Sequence, residues 1–384
     1  MNAYIVEAVR TAGGRRAGKL ADWHPADMAG EVLNALVDRC GIDPGAIEDV
    51  IFGCVSQVGE QSFHIGRNAV LASRLPDSVP AVSIDRQCGS SQQALHFAAQ
   101  AVMSGTQDVV IAAGVESMSR VPMGTPTSLA LKAGLGGPWS ERICRRYGVD
   151  GFSQFTGAEL IAGKYGFSRE QLGRYALKSH QRAAAATNAG AFRAEIVPLE
   201  VNGELHIVDE GIRFDATAES IGSVKLLRDG GVLSAANASQ ICDGSAGILV
   251  ANEHGLKAHG LTPCARILNL SVTAGDPIVM LEEPIPATRR ALKRAGLSID
   301  QIDLYEVNEA FAPIPLAWLR AVDADPDRLN VNGGGIALGH QLGASGAKLT
   351  ATLVHALRAR GMRYGLQTMC EGGGIANVTI IEVL

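Results

Sequence analysis

The stretch VSIDRQCGSSQQAL, from Val82 to Leu95, is the unit from which the fold of this chain is predicted. Its first residues predict an apolar strand, and the glycine and serines after Cys88 predict a sharp turn into a helix. Cys88 would then lie at a helix N-terminus, where free N–H groups and the helix dipole stabilise a thiolate. A reactive nucleophile is one interpretation of this cysteine. A small buried core residue is the other, and the segment alone favours it.

The same strand–turn–helix pattern recurs in LNVNGGGIALGHQLGASGAKLTATLVHAL, from Leu329 to Leu357. Four further pairs of similar segments follow the same order along the chain, which indicates an internal repeat. These pairs are Tyr4–Gly14 with Arg266–Asp276, Gly41–Val55 with Leu297–Phe311, Asp108–Glu116 with Tyr364–Gly372, and Ser245–Glu253 with Ile375–Val383. Each half alternates strands and helices, so we expect an α/β protein in which each half forms a mixed sheet with helices on both faces.

A long insertion interrupts the first repeat, because its last strand arrives late in the sequence. The predicted organisation has three parts: residues 1–119 with 243–264 as the N-terminal half, 120–242 as an inserted loop domain, and 265–384 as the C-terminal half. The insert contains helical patterns and a segment rich in glycine, proline and serine. Surface insertions of this kind are tolerated because closing a longer loop costs little.

Composition excludes several classes of protein. The 384 residues carry a formal net charge of −5, which gives no indication of a nucleic-acid or anionic-membrane surface. We find no secretory signal and no apolar run long enough to span a membrane. The seven cysteines are widely scattered, without CxxC spacing, so neither a disulfide framework nor a cysteine zinc site is expected. A reducing cytoplasm fits this pattern, and no metal site is predicted.

Four residues fall at equivalent loop ends of the two halves: Cys88, Asn308, His340 and Cys370. A pseudo-twofold arrangement would bring these loops together at the interface between the halves. Taken singly, His340 is more simply a satisfied core or surface residue, and Asn308 a helix cap. Their common position in a duplicated fold favours a site, and the neighbouring glycines would let the backbone approach a ligand.

Four segments resemble the signature blocks of thiolases, the acetyl-CoA C-acyltransferases: DRQCGSSQQA, VNEAFAP, NGGGIALGHQLGASGA and CEGGGIANV. The resemblance covers essentially the whole chain. It implies the thiolase fold, in which two βαβαβαββ halves form a layered αβαβα core with an inserted loop domain that binds coenzyme A. It also implies coenzyme A and 3-oxoacyl-CoA as substrates, no permanently bound cofactor, and a homodimer or tetramer. Ketoacyl synthases pair their cysteine with two histidines, whereas Asn308 and Cys370 occupy those places here.

The resemblance also implies a role for each catalytic residue. Cys88 would attack the 3-keto carbonyl after His340 has taken its proton, and Cys370 would protonate the departing acetyl-CoA. His340 and a water held by Asn308 would face the enolate oxygen. The backbone N–H groups of Cys88 and Gly372 would face the carbonyl of the acyl-enzyme.

Five further residues are implied in coenzyme A binding. Arg213 and Ser220 would lie along the adenine nucleotide, Ala235 and Ser239 would flank the pantetheine, and Phe311 would line its tunnel. For Arg213, an ordinary solvated surface charge is the alternative.

Two departures from the family pattern concern the site itself. Gln341 replaces the proline that commonly follows the histidine, and Glu371 stands where many members carry an apolar residue. RQCGSSQQ resembles actinobacterial thiolases that degrade bulky acyl groups, including steroid-derived ones. The sequence therefore favours a degradative thiolase of fatty-acid or steroid breakdown. A biosynthetic acetoacetyl-CoA thiolase and a non-catalytic acyl-CoA-binding relative remain as alternatives.

Overall fold

The repeat predicted from the sequence is visible as two series of elements in the same order, with one exception. The strand predicted at Leu329, before the second central helix, is reduced to an isolated bridge between Leu329 and Tyr305. The computed structural model describes residues 1–384. The first series consists of β1 Tyr4–Thr11, β2 Gly14–Arg15, α1 Pro25–Cys40, β3 Asp49–Gly53, α2 Ile65–Leu71, β4 Ala81–Ile84, α3 Ser90–Ser104 and β5 Val109–Ser117. After the insert, it is completed by β9 Cys242–Ala251 and α9 Glu253–His259.

The second series is more compact because no long insert interrupts it. It consists of β10 Ala265–Ala274, α10 Pro284–Ala295, β11 Leu304–Val307, α11 Pro313–Val322, α12 Gly335–Leu338, α13 Ser345–Arg360, β12 Tyr364–Glu371 and β13 Ile375–Val383. The segment between β5 and β9 contains α4 Thr125–Lys132, α5 Glu141–Tyr147, α6 Gln154–Tyr165, α7 Arg169–Asn188, β6 Ile196–Val197, β7 Leu199–Val201, β8 Glu204–His206 and α8 Ala218–Gly222.

Local sequence explains where the principal helices begin and end. Helix α1 starts at Pro25, which needs no N–H partner, and ends at Gly41 in the left-handed conformation with φ of 62°. Helix α7 begins with a capping box between Ser168 and Gln171. Strands β5 and β9 lie in the middle of the sheet and are buried along their whole length, including the polar residues at one end of each.

The sheet order displays the duplication directly. Eleven strands form one sheet, whose main path runs β11-β12-β13-β10-β1-β9-β5-β3-β4. The two halves meet at β1 and β10, joined by only two residue pairs, Tyr4 with Arg266 and Ile5 with Ala265. In each half the last strand of the repeat, β9 or β13, lies between the first strand and the strand after the central helix. The mixed α/β architecture predicted from the repeat is confirmed.

Three buried clusters define the layers. One lies under α1 and α2 on the outer face of the first half, and a second lies under α10 and α11 on the outer face of the second. The third surrounds α3 and α13, which are packed between the two half-sheets. This gives the layered αβαβα core. Helices α6 and α7 of the insert pack into the second cluster, so a segment that leaves the first half covers the second.

The two central helices cross at their N-termini, which places the catalytic loops side by side. A methyl group added at Gly346 of α13 would lie 2.1 Å from the backbone nitrogen of Gln92 in α3, so only glycine fits. The Ala347 N–H donates to the Ser91 hydroxyl at 3.0 Å across the same crossing. No helix is both long and apolar enough to cross a membrane.

Candidate active site

Cys88 occupies the turn that leads into α3, as the sequence predicts. Gly89 caps the helix, and Gln87 adopts a left-handed conformation with φ of 49°. The side chain of Cys88 is 8% exposed and packs against Met118 and Leu342, among other apolar residues. Burial, with a smaller contribution from the Glu371 carboxylate, raises the pKa of the Cys88 thiol to about 12. The helix end is present, but burial outweighs its effect on the thiol, so a base is required to form the thiolate.

His340 supplies such a base. Its Nδ1 lies 2.6 Å from the Ser345 hydroxyl, which donates its own hydrogen to the Gln341 carbonyl at 2.8 Å. The hydroxyl must therefore accept from Nδ1–H, which leaves Nε2 unprotonated and able to accept a hydrogen. Asn308 Nδ2 donates to this Nε2 at 3.3 Å. Burial and the charge of Lys348 lower the pKa of His340 to about 3, so the imidazole is neutral.

We expect Ser345→Ala to lower kcat by about 10-fold to 100-fold, part of the roughly 10²–10⁴ that a positioned base supplies. Without the hydroxyl, the Nδ1–H has no acceptor and either tautomer of His340 becomes accessible. Steady-state thiolysis measures the change. Thr352→Val is the matched control, because it removes another buried hydroxyl of α13, one bonded to Glu195 at 3.0 Å. An equal loss of rate in both variants would mean that Ser345 acts only through stability.

Gln341, the first departure from the family pattern, connects the histidine loop to its surroundings. Lys348 is buried and donates to the carbonyls of Leu338 and Gly339 at 2.6 and 3.0 Å, and to Gln341 Oε1 at 3.2 Å. Gln341 Nε2 donates to the Asp243 carbonyl at 3.3 Å. The amide thus bridges α13 and β9, and in this way the loop keeps its place without a proline.

Cys370 lies near the end of β12, paired with Ala376 of β13, and is 1% exposed. Burial and the neighbouring Cys88 raise its pKa well above the usual value for a thiol, so it is a neutral acid in the free protein. The following turn interlocks with the Cys88 turn. A methyl group added at Gly372 would lie 2.9 Å from Gln87 Oε1, and one at Gly89 would lie 2.0 Å from Glu371 Oε1.

A cavity of about 370 Å³ lies beside these residues and is lined by His340. Residues from both halves and the insert line it, including Arg213, Ala235, Ser239, Phe311 and His340. Met118 and Leu342 also line it and pack against Cys88, so its inner end adjoins the nucleophile.

The structure thus brings four of the five residues implied in coenzyme A binding to one cavity. Ser220 lies elsewhere: it belongs to the capping box of α8, where its N–H donates to the Thr217 hydroxyl at 3.0 Å. Sequence reasoning missed Ser345 and Lys348. The only signal for Ser345 was a hydroxyl within the small-residue run GASGA, five residues after the histidine.

Comparisons with known proteins agree along the whole chain. Residues 3–254 match the family model described as thiolase, N-terminal domain, and residues 261–383 match thiolase, C-terminal domain. The chain is 52% identical over 384 residues to the steroid 3-ketoacyl-CoA thiolase FadA6 of Mycobacterium tuberculosis, covering 100% of this chain and 94% of that protein. It is 39% identical to a 3-ketoacyl-CoA thiolase of Photobacterium profundum, covering 99% of each.

Solved structures give the same result. Human mitochondrial 3-ketoacyl-CoA thiolase in complex with CoA superimposes with a TM-score of 0.89 at 36% identity, covering 100% of this chain and 98% of that one. Bacillus anthracis acetyl-CoA acetyltransferase superimposes with a TM-score of 0.90 at 35% identity, covering 100% and 99%.

Proposed function

This chain belongs to the thiolase family of acyltransferases, for which coenzyme A is a substrate, and we propose that it cleaves 3-oxoacyl-CoA into acetyl-CoA and a shortened acyl-CoA with Cys88 as the acyl carrier. One observation carries the assignment of residues. A cavity lined by His340 shares Met118 and Leu342 with the apolar cluster of a buried cysteine at a helix N-terminus, and a second buried cysteine is close enough for the first to raise its pKa.

The first half-reaction forms the acyl-enzyme. As the Cys88 sulfur attacks C3 of the substrate, its proton moves to the unprotonated Nε2 of His340. The C2–C3 bond then breaks, and its electron pair remains on C2. The Cys370 thiol gives its proton to C2, which releases acetyl-CoA and leaves a thiolate at Cys370. A neutral Cys370, as burial favours, is the form that this step requires.

The second half-reaction returns both cysteines to their starting states. Free coenzyme A passes its thiol proton to the Cys370 thiolate, and its sulfur attacks the acyl carbonyl on Cys88. The Cys88 sulfur leaves and recovers its proton from His340. We assign the N–H groups of Cys88 and Gly372 to the oxyanion of this step, where loss of one donor typically costs about 3 kcal/mol.

Coenzyme A would enter through the cavity of the insert. Arg213 there supports the assignment to the nucleotide, since a guanidinium binds phosphate oxygens well. Ala235, Ser239 and Phe311 would line the pantetheine path. Ser220, in α8, does not line this cavity and remains a proposed nucleotide contact.

The acyl group is proposed to be bulky and apolar, as in steroid or long-chain fatty-acid degradation. Met118, Met123 and Phe155 wall the cavity, and methionine side chains adapt to irregular ligands. The high identity to a protein named as a steroid thiolase supports the same class of substrate. Similarity to an acetyl-CoA acetyltransferase of equal fold keeps a small-pocket enzyme as the alternative.

Substrate choice is tested by kcat/KM for acetoacetyl-CoA against a 3-oxoacyl-CoA with a fused-ring acyl group. We expect the bulky substrate to be preferred by about 10-fold or more, since each methylene that fits an apolar pocket contributes roughly 1–3 kcal/mol. A preference for acetoacetyl-CoA would establish the biosynthetic alternative. Coenzyme A binding without turnover of either substrate would favour the non-catalytic one.

Two predictions about the whole protein also remain proposals. Strand β4 lies at the edge of the sheet and carries Val82 with 41% of its surface exposed. An uncovered apolar edge of this kind supports the proposed homo-oligomer. All seven cysteines are unpaired, which supports the proposed cytoplasmic location.

A further inference from the structure

Glu371, the second departure from the family pattern, is an unpartnered acid inside the site. It ends β12, between Cys370 and Gly372, and is 0% exposed. Neither of its carboxyl oxygens has a hydrogen-bond partner. A buried carboxylate without donors is costly, so the neutral acid is the favoured form.

The carboxyl group lies directly against the turn that carries the nucleophile. A methyl group added at Gly89 would be 2.0 Å from Glu371 Oε1 and 2.5 Å from its Cδ, so the two residues are in contact. Gly89 follows Cys88 and caps α3. The acid and the nucleophile therefore share one buried helix end, and a charge on either is felt by the other.

Several charged and titratable groups face this pair. Burial raises the pKa of Glu371 to about 8, opposed by the charge of Arg86 from the loop before Cys88. Cys370, on the same strand, is raised in pKa by burial, by Cys88 and by Glu371. Cys88 itself also faces Glu116 from β5 and Asp85 from its own loop, and both raise its pKa less than Glu371 does.

We propose that Glu371 controls the ionisation of Cys88: the neutral acid permits the thiolate to form, and the carboxylate suppresses it. Glu371 is thus a positioning residue and not a catalytic one, because its charge acts on Cys88 and not on the substrate. The inference rests on the proposed role of Cys88 as nucleophile, but it requires no particular acyl group.

Alkylation of Cys88 by iodoacetamide tests the coupling without any thiolase substrate. Thiolate sulfur displaces iodide, so the rate follows the thiolate fraction. The rate is measured by mass on the Cys88-containing peptide from about pH 6.5 to about pH 9.5, on either side of the pKa of Glu371. In the wild type, the rate should rise with pH and then flatten above about pH 8, as two coupled groups titrate together.

In Glu371→Gln, the alkylation rate of Cys88 should rise with pH without flattening, because the amide cannot ionise. Its rate should be within about twofold of wild type at the acid end and about tenfold higher at the alkaline end, which corresponds to a coupling of about one pKa unit. Glu306→Gln is the matched control: Glu306 is likewise a buried glutamate with one unpartnered oxygen, on β11, and it is not among the groups that shift Cys88. Its profile should follow wild type.

Arg86→Met is an independent test of the coupling between Glu371 and Cys88, and it can be measured even if Glu371→Gln does not fold. Loss of the guanidinium removes a charge that favours the Glu371 carboxylate, so the flattening should move to higher pH. A constant ratio of Glu371→Gln to wild type at every pH, or an unmoved profile in Arg86→Met, would overturn the proposal. Thiolysis assays report separately on the proposed function, since alkylation does not depend on turnover.

Discussion

Replacing Cys88 by alanine eliminates the acyl-enzyme and lowers thiolysis by at least about 10⁴-fold, because loss of the nucleophile in another covalent enzyme costs about 10⁶-fold in kcat. The expected result follows from the two-step chemistry. Without a sulfur at this position, no acyl-enzyme can form, and coenzyme A would have to attack the 3-keto carbonyl directly. Coenzyme A binding should persist, since the cavity lining is unchanged.

Intact-protein mass after brief exposure to a 3-oxoacyl-CoA measures the intermediate. Wild type should gain the mass of the shortened acyl group, and Cys88→Ala should gain none. Cys264→Ala is the matched control: Cys264 is also buried, but it lies at the seam of β1 and β10, where its thiol donates to the Ile5 carbonyl at 3.2 Å. If the acyl adduct survives in Cys88→Ala and disappears in Cys264→Ala, the nucleophile is Cys264 and the assignment to Cys88 is wrong.

The reactive state of Cys88 marks a boundary of what sequence can predict. The spacing of apolar residues predicts the strand before it and the helix after it, because the repeat period of each element is a property of the local sequence. Burial is a property of the assembled layers, and at this cysteine it opposes the stabilisation that a helix end gives to a thiolate. The repeat could be found because both halves preserve the order of their elements. No pattern within the insert indicates that α6 and α7 pack on the opposite half.

In the site, too, some residues can be identified from the sequence and others only from the folded structure. Cys88, Asn308, His340 and Cys370 could be selected because they occupy equivalent loop ends in a duplicated chain. Ser345 and Lys348 could not, since a serine and a lysine in a helix are ordinary residues until the fold directs one to Nδ1 of His340 and the other to the carbonyls before it. Glu371 was visible as a departure, but its lack of partners is a fact of three dimensions.

Replacing Cys370 by alanine should separate two reactions that the wild-type enzyme performs together. Acetyl transfer from acetyl-CoA to Cys88 exchanges one thioester for another and moves no proton at carbon. It needs the Cys88 sulfur and the unprotonated Nε2 of His340, and both remain in Cys370→Ala. Exchange of the methyl protons of acetyl-CoA with solvent needs a base at the α-carbon, and that is the role proposed for the Cys370 thiolate.

We therefore expect Cys370→Ala to acetylate Cys88 within about 10-fold of wild type, while deuterium incorporation into acetyl-CoA falls by about 10²–10⁴-fold, the usual contribution of a positioned acid or base. Protein mass gives the first quantity, and mass analysis of acetyl-CoA recovered from D₂O gives the second. Cys88→Ala supplies the contrast, because it should lose acetylation.

The ratio of the two losses distinguishes a proton carrier from a packing residue. Cys370 packs into the apolar cluster of the second half, so a purely structural role would lower acetylation and exchange together. Exchange that survives the substitution would place the base elsewhere, and the adjacent buried carboxyl of Glu371 would then be the first residue to test in the Cys370→Ala background. A selective loss of exchange, with acetylation retained, follows only if the Cys370 sulfur itself carries the proton.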